Sequence, residues 1–201
     1  ATQRDHLTER IDAAVAASGS VKYGERRAWL MEQFGLGYGD ANAVVHFIDK
    51  PLPADKAVRF AMDVATGMSV AHQSGIIHRD LKPANVLIDD TGLLKIVDFG
   101  VAAAQHQGDT QLTKTGYVIG SPKYMAPEQI LGKKVDERAD VYSLGVILYE
   151  MLTGEPPYHR GDHMAVMYQH VQGKAKPPID VNPNIPPGLS EIVMKAMTVD
   201  K

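Results

Sequence analysis

The sequence contains no cysteine, little excess charge and no long apolar run. Without cysteine the chain can form neither a disulfide nor a thiolate metal site, which agrees with a reducing cytoplasm. A net charge of −3 gives no reason to expect nucleic acid as a partner. No run of about 18 apolar residues could span a membrane, and residues 1–10 lack the apolar core of a secretion signal. Hydrophobic residues still make up 44% of the chain, which is enough for an apolar core. Because cysteine is absent, we expect a cytoplasmic protein.

Residues 1–50 are predicted to form a small unit of three short helices. The first helix has one apolar face at helical spacing, formed by Leu7, Ile11, Ala14 and Val15. The second covers about residues 24–34, and the third follows Asp40, which can cap it. Pro51 closes the unit, because proline cannot continue a helix. The sequence therefore predicts a domain boundary at residue 51.

The rest of the chain alternates helical patterns with short apolar runs. Helices are predicted over about residues 54–74, 139–152, 162–172 and 189–198. The inward positions of the first of these helices are predicted to be Ala57, Ala61, Val64, Ala65 and Met68. Strand character is found in residues 76–77, 86–88 and 93–97, with a turn at 89–92. Residues 101–125 are polar and predict a long loop. The pattern favours a mainly α fold of the α+β class.

The most informative stretch is HRDLKPAN at residues 78–85. It places Asp80, Lys82 and Asn85 on one tight loop, and the strands and turn that follow can return the chain so that Asp98 lies beside Asn85. Two oxygen ligands, a second carboxylate and an ammonium group would then meet. Phosphoryl transfer needs this set: hard oxygen ligands for Mg²⁺, a carboxylate to orient the attacking hydroxyl and a cation near the transferred phosphate.

Together with DFG (98–100) and APE (126–128), these residues resemble the motifs of eukaryotic-like serine/threonine protein kinases, most closely the bacterial ones. The resemblance covers residues 51–201 and implies the C-terminal, lower lobe of that fold, with short strands around the catalytic loop. It also implies that this lobe is truncated at its C-terminal end. The implied reaction is transfer of the γ-phosphate of ATP to Ser or Thr of a protein substrate.

The resemblance assigns a role to individual residues. Asp80 is the implied catalytic base, Lys82 stabilises the γ-phosphate, Asn85 and Asp98 hold Mg²⁺, and Leu87 lies against the adenine of ATP. Structural roles fall to His78, Arg79, Phe99, Gly100, Glu128 and Asp140. For Asp140 two interpretations stay open, since it resembles the residue that anchors the catalytic loop and could also cap its own helix.

The segment between DFG and APE resembles an activation loop. In this resemblance Thr113 and Thr115 are phosphorylation sites, and Ser121 bonds to the catalytic Asp next to the substrate pocket. A phosphothreonine adds nearly two negative charges and could pair with Arg79, which would order the loop. The alternative is that the two threonines are simply part of a polar loop.

The upper lobe of the family is not found in the sequence. GLGYG (35–39) lacks the G-x-G-x-x-G spacing, and Lys50 is followed by proline only 27 residues before His78, too few for a regulatory helix and its strands. Residues 29–47 instead resemble a small, uncharacterised helical module of bacterial proteins. We therefore expect no glycine-rich loop and no β3 lysine, and doubt that the chain alone binds ATP and Mg²⁺.

Two hypotheses follow for the function. In the first, the chain is the catalytic lobe of a kinase, inactive in isolation, whose upper lobe is missing from this chain or supplied otherwise. In the second, it is a non-catalytic remnant or fusion that binds proteins. The surface around Leu87 and Phe99 would meet the upper lobe in the family, so self-association through that surface is a further expectation.

Overall fold

The computed structural model describes residues 51–88, 94–99 and 122–199. Within these ranges the helices are α1 Ala54–Gln73, α2 Pro127–Ile130, α3 Arg138–Thr153, α4 His163–Gln172, α5 Pro178–Val181 and α6 Pro187–Ala196. Two strands, β1 Val86–Ile88 and β2 Leu94–Ile96, and two 3-10 turns, Pro83–Asn85 and Pro122–Tyr124, complete the elements. The predicted unit at 1–50 lies outside the described residues, as do the turn at 89–92 and Gly100, Thr113, Thr115 and Ser121.

Helix α3 forms the centre of the described lobe, as its all-round apolar sequence predicts. Val146 and Ile147 on this helix are fully buried, and α1 and α6 pack against it. Gly145 permits the close approach of α6, because a Cβ at this position would lie 2.9 Å from the Cβ of Ala196. The helix ends at Gly154, which adopts a left-handed conformation with φ of 85°.

Helix α1 follows the predicted range closely, and its exit through Gly75 has the positive φ expected of a helix C-terminus. Four of its five predicted inward residues are buried: Ala57, Ala61, Val64 and Met68. The prediction for Ala65 was wrong, since this residue is exposed. The buried positions repeat at intervals of four, three and four residues, which is one helical stripe, and Ala65 lies about 100° around the helix from Val64.

The two described strands confirm the predicted pairing near the catalytic motifs. They are antiparallel, with Val86 opposite Ile96 and Ile88 opposite Leu94. The strand predicted at residues 76–77 does not form. The amide of Ile76 donates to the carbonyl of Ala71 at the end of α1, and the amides of His78 and Arg79 bind a side-chain carboxylate instead of a partner strand.

The remaining helices differ from the prediction mainly at their ends. The helix predicted at 189–198 begins at Pro187, and proline is favourable at the first helical position. The short helices α2 and α5 also begin with proline and were not predicted. None of the described helices is long and apolar enough to cross a membrane. The described lobe is thus mainly helical with a small sheet, and the predicted fold class is confirmed.

A buried and an exposed isoleucine provide a matched test of this core. Ile147→Ala should lower the free energy of unfolding by about 3 kcal/mol, because the side chain is fully buried on α3 and leaves a cavity. Ile192→Ala, at a side chain that is 61% exposed on α6, should change it by less than about 0.5 kcal/mol. Urea unfolding of the full chain measures both values. Equal effects of the two substitutions would contradict the central position of α3.

Candidate active site

The catalytic loop, residues 78–85, is attached to α3 through the carboxylate of Asp140. One oxygen, Oδ2, accepts hydrogen bonds from the amide of His78 and from Nε2 of His72, both at 2.8 Å. The other, Oδ1, accepts from the amide of Arg79 at 2.8 Å. Asp140 is only 1% exposed, and these donors satisfy a carboxylate that would otherwise be costly to bury. The described α3 has Glu137 at its N-cap, so Asp140 serves the loop and does not cap its helix.

The backbone of the loop has an unusual conformation where Asp140 holds it. Arg79 has a φ of 67°, in the left-handed region that residues with a Cβ rarely adopt. The amides of His78 and Arg79 both point to the Asp140 carboxylate in this conformation. The hydrogen bonds therefore offset a backbone strain of about 1–2 kcal/mol.

His78 connects the loop to the strand that leads to Asp98. Its ring is fully buried, and Nδ1 accepts a hydrogen bond from the amide of Asp80 at 3.3 Å. The ring proton is then on Nε2, which donates to the carbonyl of Val97 at 3.0 Å. The His78 ring also lies 4.9 Å from the ring of Phe99, measured between centroids. His78 thus links two of the predicted motifs.

Three predicted catalytic residues lie together in the loop. Nζ of Lys82 is 2.8 Å from Oδ2 of Asp80. Nδ2 of Asn85 donates to the carbonyl of Asp80 at 2.8 Å and lies 3.4 Å from its Oδ2. The Asp80 side chain remains 49% exposed, so a substrate group can reach it. The arrangement presents a carboxylate to solvent with a cation beside it.

Asp98 and its neighbours lie beside this cluster. The amide of Val97 donates to the carbonyl of Asn85 at 2.9 Å, which brings the backbone of Asp98 next to the loop. Asp98 is exposed and has a φ of 62°. Phe99 is 38% exposed and Leu87 is half-buried, so part of the surface that the sequence assigns to ATP and the upper lobe is open in the described residues.

The side-chain oxygens of Asn85 and Asp98 suit a hard cation that is bound together with phosphate. Because Nδ2 of Asn85 donates to Asp80, its Oδ1 is directed elsewhere and accepts no hydrogen bond within the described residues. An amide oxygen and the Asp98 carboxylate are ligands that Mg²⁺ accepts, with waters and phosphate oxygens completing its shell. No cluster of three or more His, Asp or Glu in the described ranges could hold a metal by itself.

Gln129, which was not predicted from the sequence, joins α2 to the catalytic loop. Its Oε1 accepts a hydrogen bond from the amide of Ala126 at 3.0 Å, and its Nε2 donates to the carbonyl of Arg79 at 2.6 Å. The spacing of three residues from Ala126 was an available signal for the first bond. The second bond joins positions 50 residues apart and has no local signal. Glu128, the adjacent acid, is buried.

The turn Pro122–Tyr124, which we call the substrate-side turn because it follows Ser121, is fixed to α3 at two points. Oγ of Ser143 donates to the carbonyl of Tyr124 at 2.7 Å. The Tyr124 hydroxyl donates to Oε2 of Glu150 at 2.7 Å. The same helix therefore positions the catalytic loop and this turn.

Comparison with known proteins agrees with these motifs. The family model described as protein kinase domain matches residues 19–201. Serine/threonine-protein kinase PknB of Mycobacterium leprae is 44% identical over 154 residues, which are 77% of this chain and 24% of the relative. The probable serine/threonine-protein kinases CPE1738 of Clostridium perfringens and CE0033 of Corynebacterium efficiens are 43% and 40% identical, over 74% of this chain and 22% and 23% of their own lengths.

Two facts limit how far these matches reach. The chain spans about a quarter of the length of the curated relatives that it matches. The family match begins at residue 19, inside the segment for which the sequence predicts a separate helical unit. The boundary at residue 51 stays a prediction.

Asp140 offers a direct test of how the loop is held. Asp140→Asn replaces one acceptor oxygen by an NH₂ group that faces backbone amides, so the free energy of unfolding should fall by about 3 kcal/mol. Amide hydrogen exchange at residues 78–80 should accelerate more than exchange in the middle of α1.

The matched control is Asp162→Asn at the N-cap of α4, where Oδ1 accepts from the amide of Ala165 and asparagine caps equally well. This variant should unfold within about 0.5 kcal/mol of the original chain. A loop that exchanges normally in Asp140→Asn would show that the carboxylate does not hold it.

Proposed function

This chain belongs to the protein kinase family, and on that premise we propose that its described lobe carries the catalytic residues of a serine/threonine kinase that transfers the γ-phosphate of ATP. The resemblance to the bacterial members is confirmed by the relatives named above. The observation that carries the proposal is the cluster of Asp80, Lys82 and Asn85, held by Asp140 at the protein surface.

Asp80 is proposed as the base that orients and deprotonates the substrate hydroxyl. Its carboxylate accepts the proton while the Ser or Thr oxygen bonds to the γ-phosphorus and the bond from that phosphorus to the bridging oxygen of ADP breaks. The exposure of Asp80 allows a protein substrate to reach it. Nζ of Lys82 lies 2.8 Å from Oδ2 of this carboxylate and places a positive charge beside it.

Lys82, Asn85 and Asp98 are proposed to act on the phosphate side. Nζ of Lys82, already 2.8 Å from Asp80, can turn its remaining protons to the oxygens of the transferred group. Oδ1 of Asn85 and the Asp98 carboxylate would hold Mg²⁺, which neutralises phosphate charge when it is bound. Leu87, half-buried on β1, is the proposed neighbour of the adenine.

We further propose that residues 1–201 by themselves transfer phosphate only negligibly and need an upper lobe that they do not contain. The sequence has no G-x-G-x-x-G loop and no β3 lysine, and positioning of the phosphates accounts for much of the rate in this reaction. The open surface at Phe99 supports this need, because it leaves apolar area uncovered within the described residues.

Radiolabelled ATP and a generic Ser/Thr acceptor test this function. The full chain alone should give negligible incorporation, and addition of the separately expressed upper lobe of a related kinase should give incorporation that Asp80→Asn reduces at least about 100-fold. Asp63→Asn, an exposed aspartate on α1, is the matched control and should retain full activity.

Two other outcomes of this assay would contradict parts of the proposal. Asp80-dependent incorporation by the chain alone would disprove the proposed inactivity. A folded chain that binds the upper lobe and still transfers nothing would favour the second hypothesis, a non-catalytic protein-binding module.

Phosphorylation of Thr113 or Thr115 is expected in an active complex. Nε of Arg79 is buried and makes no hydrogen bond within the described residues, so this guanidinium has a donor left for a phosphate. Arg79→Ala should reduce the gain in activity on phosphorylation by about tenfold, whereas Arg59→Ala on the exposed side of α1 should leave it unchanged. Phosphopeptide mapping and rates before and after phosphatase treatment measure this. An active complex in which neither threonine is modified would exclude the assignment.

A further inference from the structure

His170 is a fully buried histidine on α4 that the proposed chemistry does not use. Helix α4 packs against the substrate-side turn and against α2, which carries Gln129. The helix that carries His170 therefore lies against the backbone between Pro122 and the Gln129 contact with the catalytic loop. A buried titratable side chain that is only partly hydrogen-bonded requires an explanation.

The tautomer of His170 is assigned from the surroundings of its two ring nitrogens. Nδ1 lies 2.8 Å from the hydroxyl of Tyr142 on α3. Nε2 is buried without a hydrogen bond of normal geometry, although the backbone of Lys123 acts to favour a proton on the ring. We assign the ring proton to Nε2, on the side of the Lys123 backbone, so that Tyr142 donates to Nδ1. Burial raises the pKa of Tyr142, so its hydroxyl keeps the proton that it donates.

The ring of His170 also has close aromatic neighbours. The Tyr158 ring meets it edge-on at 4.7 Å between centroids, and the Tyr142 ring is tilted at 5.7 Å. The imidazole therefore has a fixed plane, which directs Nδ1 to the Tyr142 hydroxyl on α3. This packing and the hydrogen bond are two independent constraints on one side chain.

We infer that His170 is a positioning residue for the substrate-side turn: by accepting the hydrogen bond from Tyr142 it couples α4 to α3 and fixes the backbone of residues 122–126 next to the catalytic loop. The coupling continues through Ala126 and Gln129 to the carbonyl of Arg79. The inference rests on the proposed function only in its description of the turn as facing the protein substrate.

The protonation of the ring gives this role a pH dependence. Burial lowers the pKa of His170 to about 4, opposed by the backbone of Lys123. The folded pKa lies below the value of 6.5 for an unperturbed histidine, so the stabilisation is complete above pH 6.5 and is lost progressively as the pH falls towards 4. Between these pH values the proton binds the opened state, and near pH 4 it binds the folded ring, which then cannot accept the bond from Tyr142 at Nδ1.

Few other ionisable groups surround His170 and Tyr142 within the described residues. Tyr158 faces His170 from the segment after α3, Lys123 belongs to the turn above, and Glu128 on α2 acts on Tyr142 through its charge. Burial raises the pKa of Tyr158 to about 12, so it stays neutral over the range of interest. The lowered pKa of His170 predicts a pH dependence between about 4 and 6.5 at this position, and the His170 variants test it.

Hydrogen exchange of the full chain, without ATP or substrate, tests the inference. His170→Phe keeps a ring against Tyr158 and removes the acceptor, so exchange at Met125 and Ala126 should accelerate about tenfold relative to the middle of α1. His170→Asn retains an acceptor near the position of Nδ1 and should restore protection to within about threefold. Tyr142→Phe, a milder change, should reproduce the effect of His170→Phe.

Tyr149→Phe is the matched control, because Tyr149 is a buried tyrosine of the same helix whose hydroxyl donates to the carbonyl of Lys176, away from the turn. It should leave exchange at Met125 and Ala126 unchanged. As the pH falls from about 6.5 towards 4, the original chain should lose protection at these two amides relative to α1, and neither His170 variant should show that loss.

Two results would overturn the inference. Uniform acceleration in α1 and in the turn for His170→Phe would make His170 a packing residue only. Unchanged exchange at Met125 and Ala126 in both His170→Phe and Tyr142→Phe would show that the bond does not fix the turn. Because the measurement involves no phosphotransfer, it can fail while the kinase proposal stands, and it can succeed if the activity assay fails.

Discussion

The buried carboxylate of Asp140 is the interaction on which the candidate site depends. It accepts hydrogen bonds from two successive backbone amides of the catalytic loop and from His72 of α1, so one side chain joins two helices and a loop. A charged group at 1% exposure persists in a protein only when its acceptor sites are used. Here its donors are the parts of the chain that must stay in place if Asp80, Lys82 and Asn85 are to meet.

Helix α3 also acts as the common support for the surrounding elements. Along its length Asp140 holds the catalytic loop, Ser143 and Glu150 hold the substrate-side turn, and Tyr142 contacts α4 through His170. The helix can present so many polar side chains because its apolar residues are buried against α1 and α6. Packing of the core and placement of the reactive groups are therefore set by the same sixteen residues.

Patterns of local origin were predictable from the sequence, and contacts between distant residues were not. The helical stripe of Ala57, Ala61 and Val64 and the pairing of β1 with β2 follow from periodicity. The short run at residues 76–77 has strand composition. The amide of His78, which follows it, binds the carboxylate of Asp140, 62 positions away, and no local rule can reveal this contact. Gln129 and His170 were missed for the same reason, since their partners lie 50 and 28 residues distant.

Two residues with a Cβ, Arg79 and Asp98, have left-handed backbone conformations on either side of the site. Each such residue costs about 1–3 kcal/mol, and the cost is local to the loop and the end of β2. A chain with the same helices and a relaxed loop would release this strain but lose the hydrogen bonds to Asp140. Its helix content, as measured by circular dichroism, would be nearly the same, so a folded spectrum does not report whether the site is assembled.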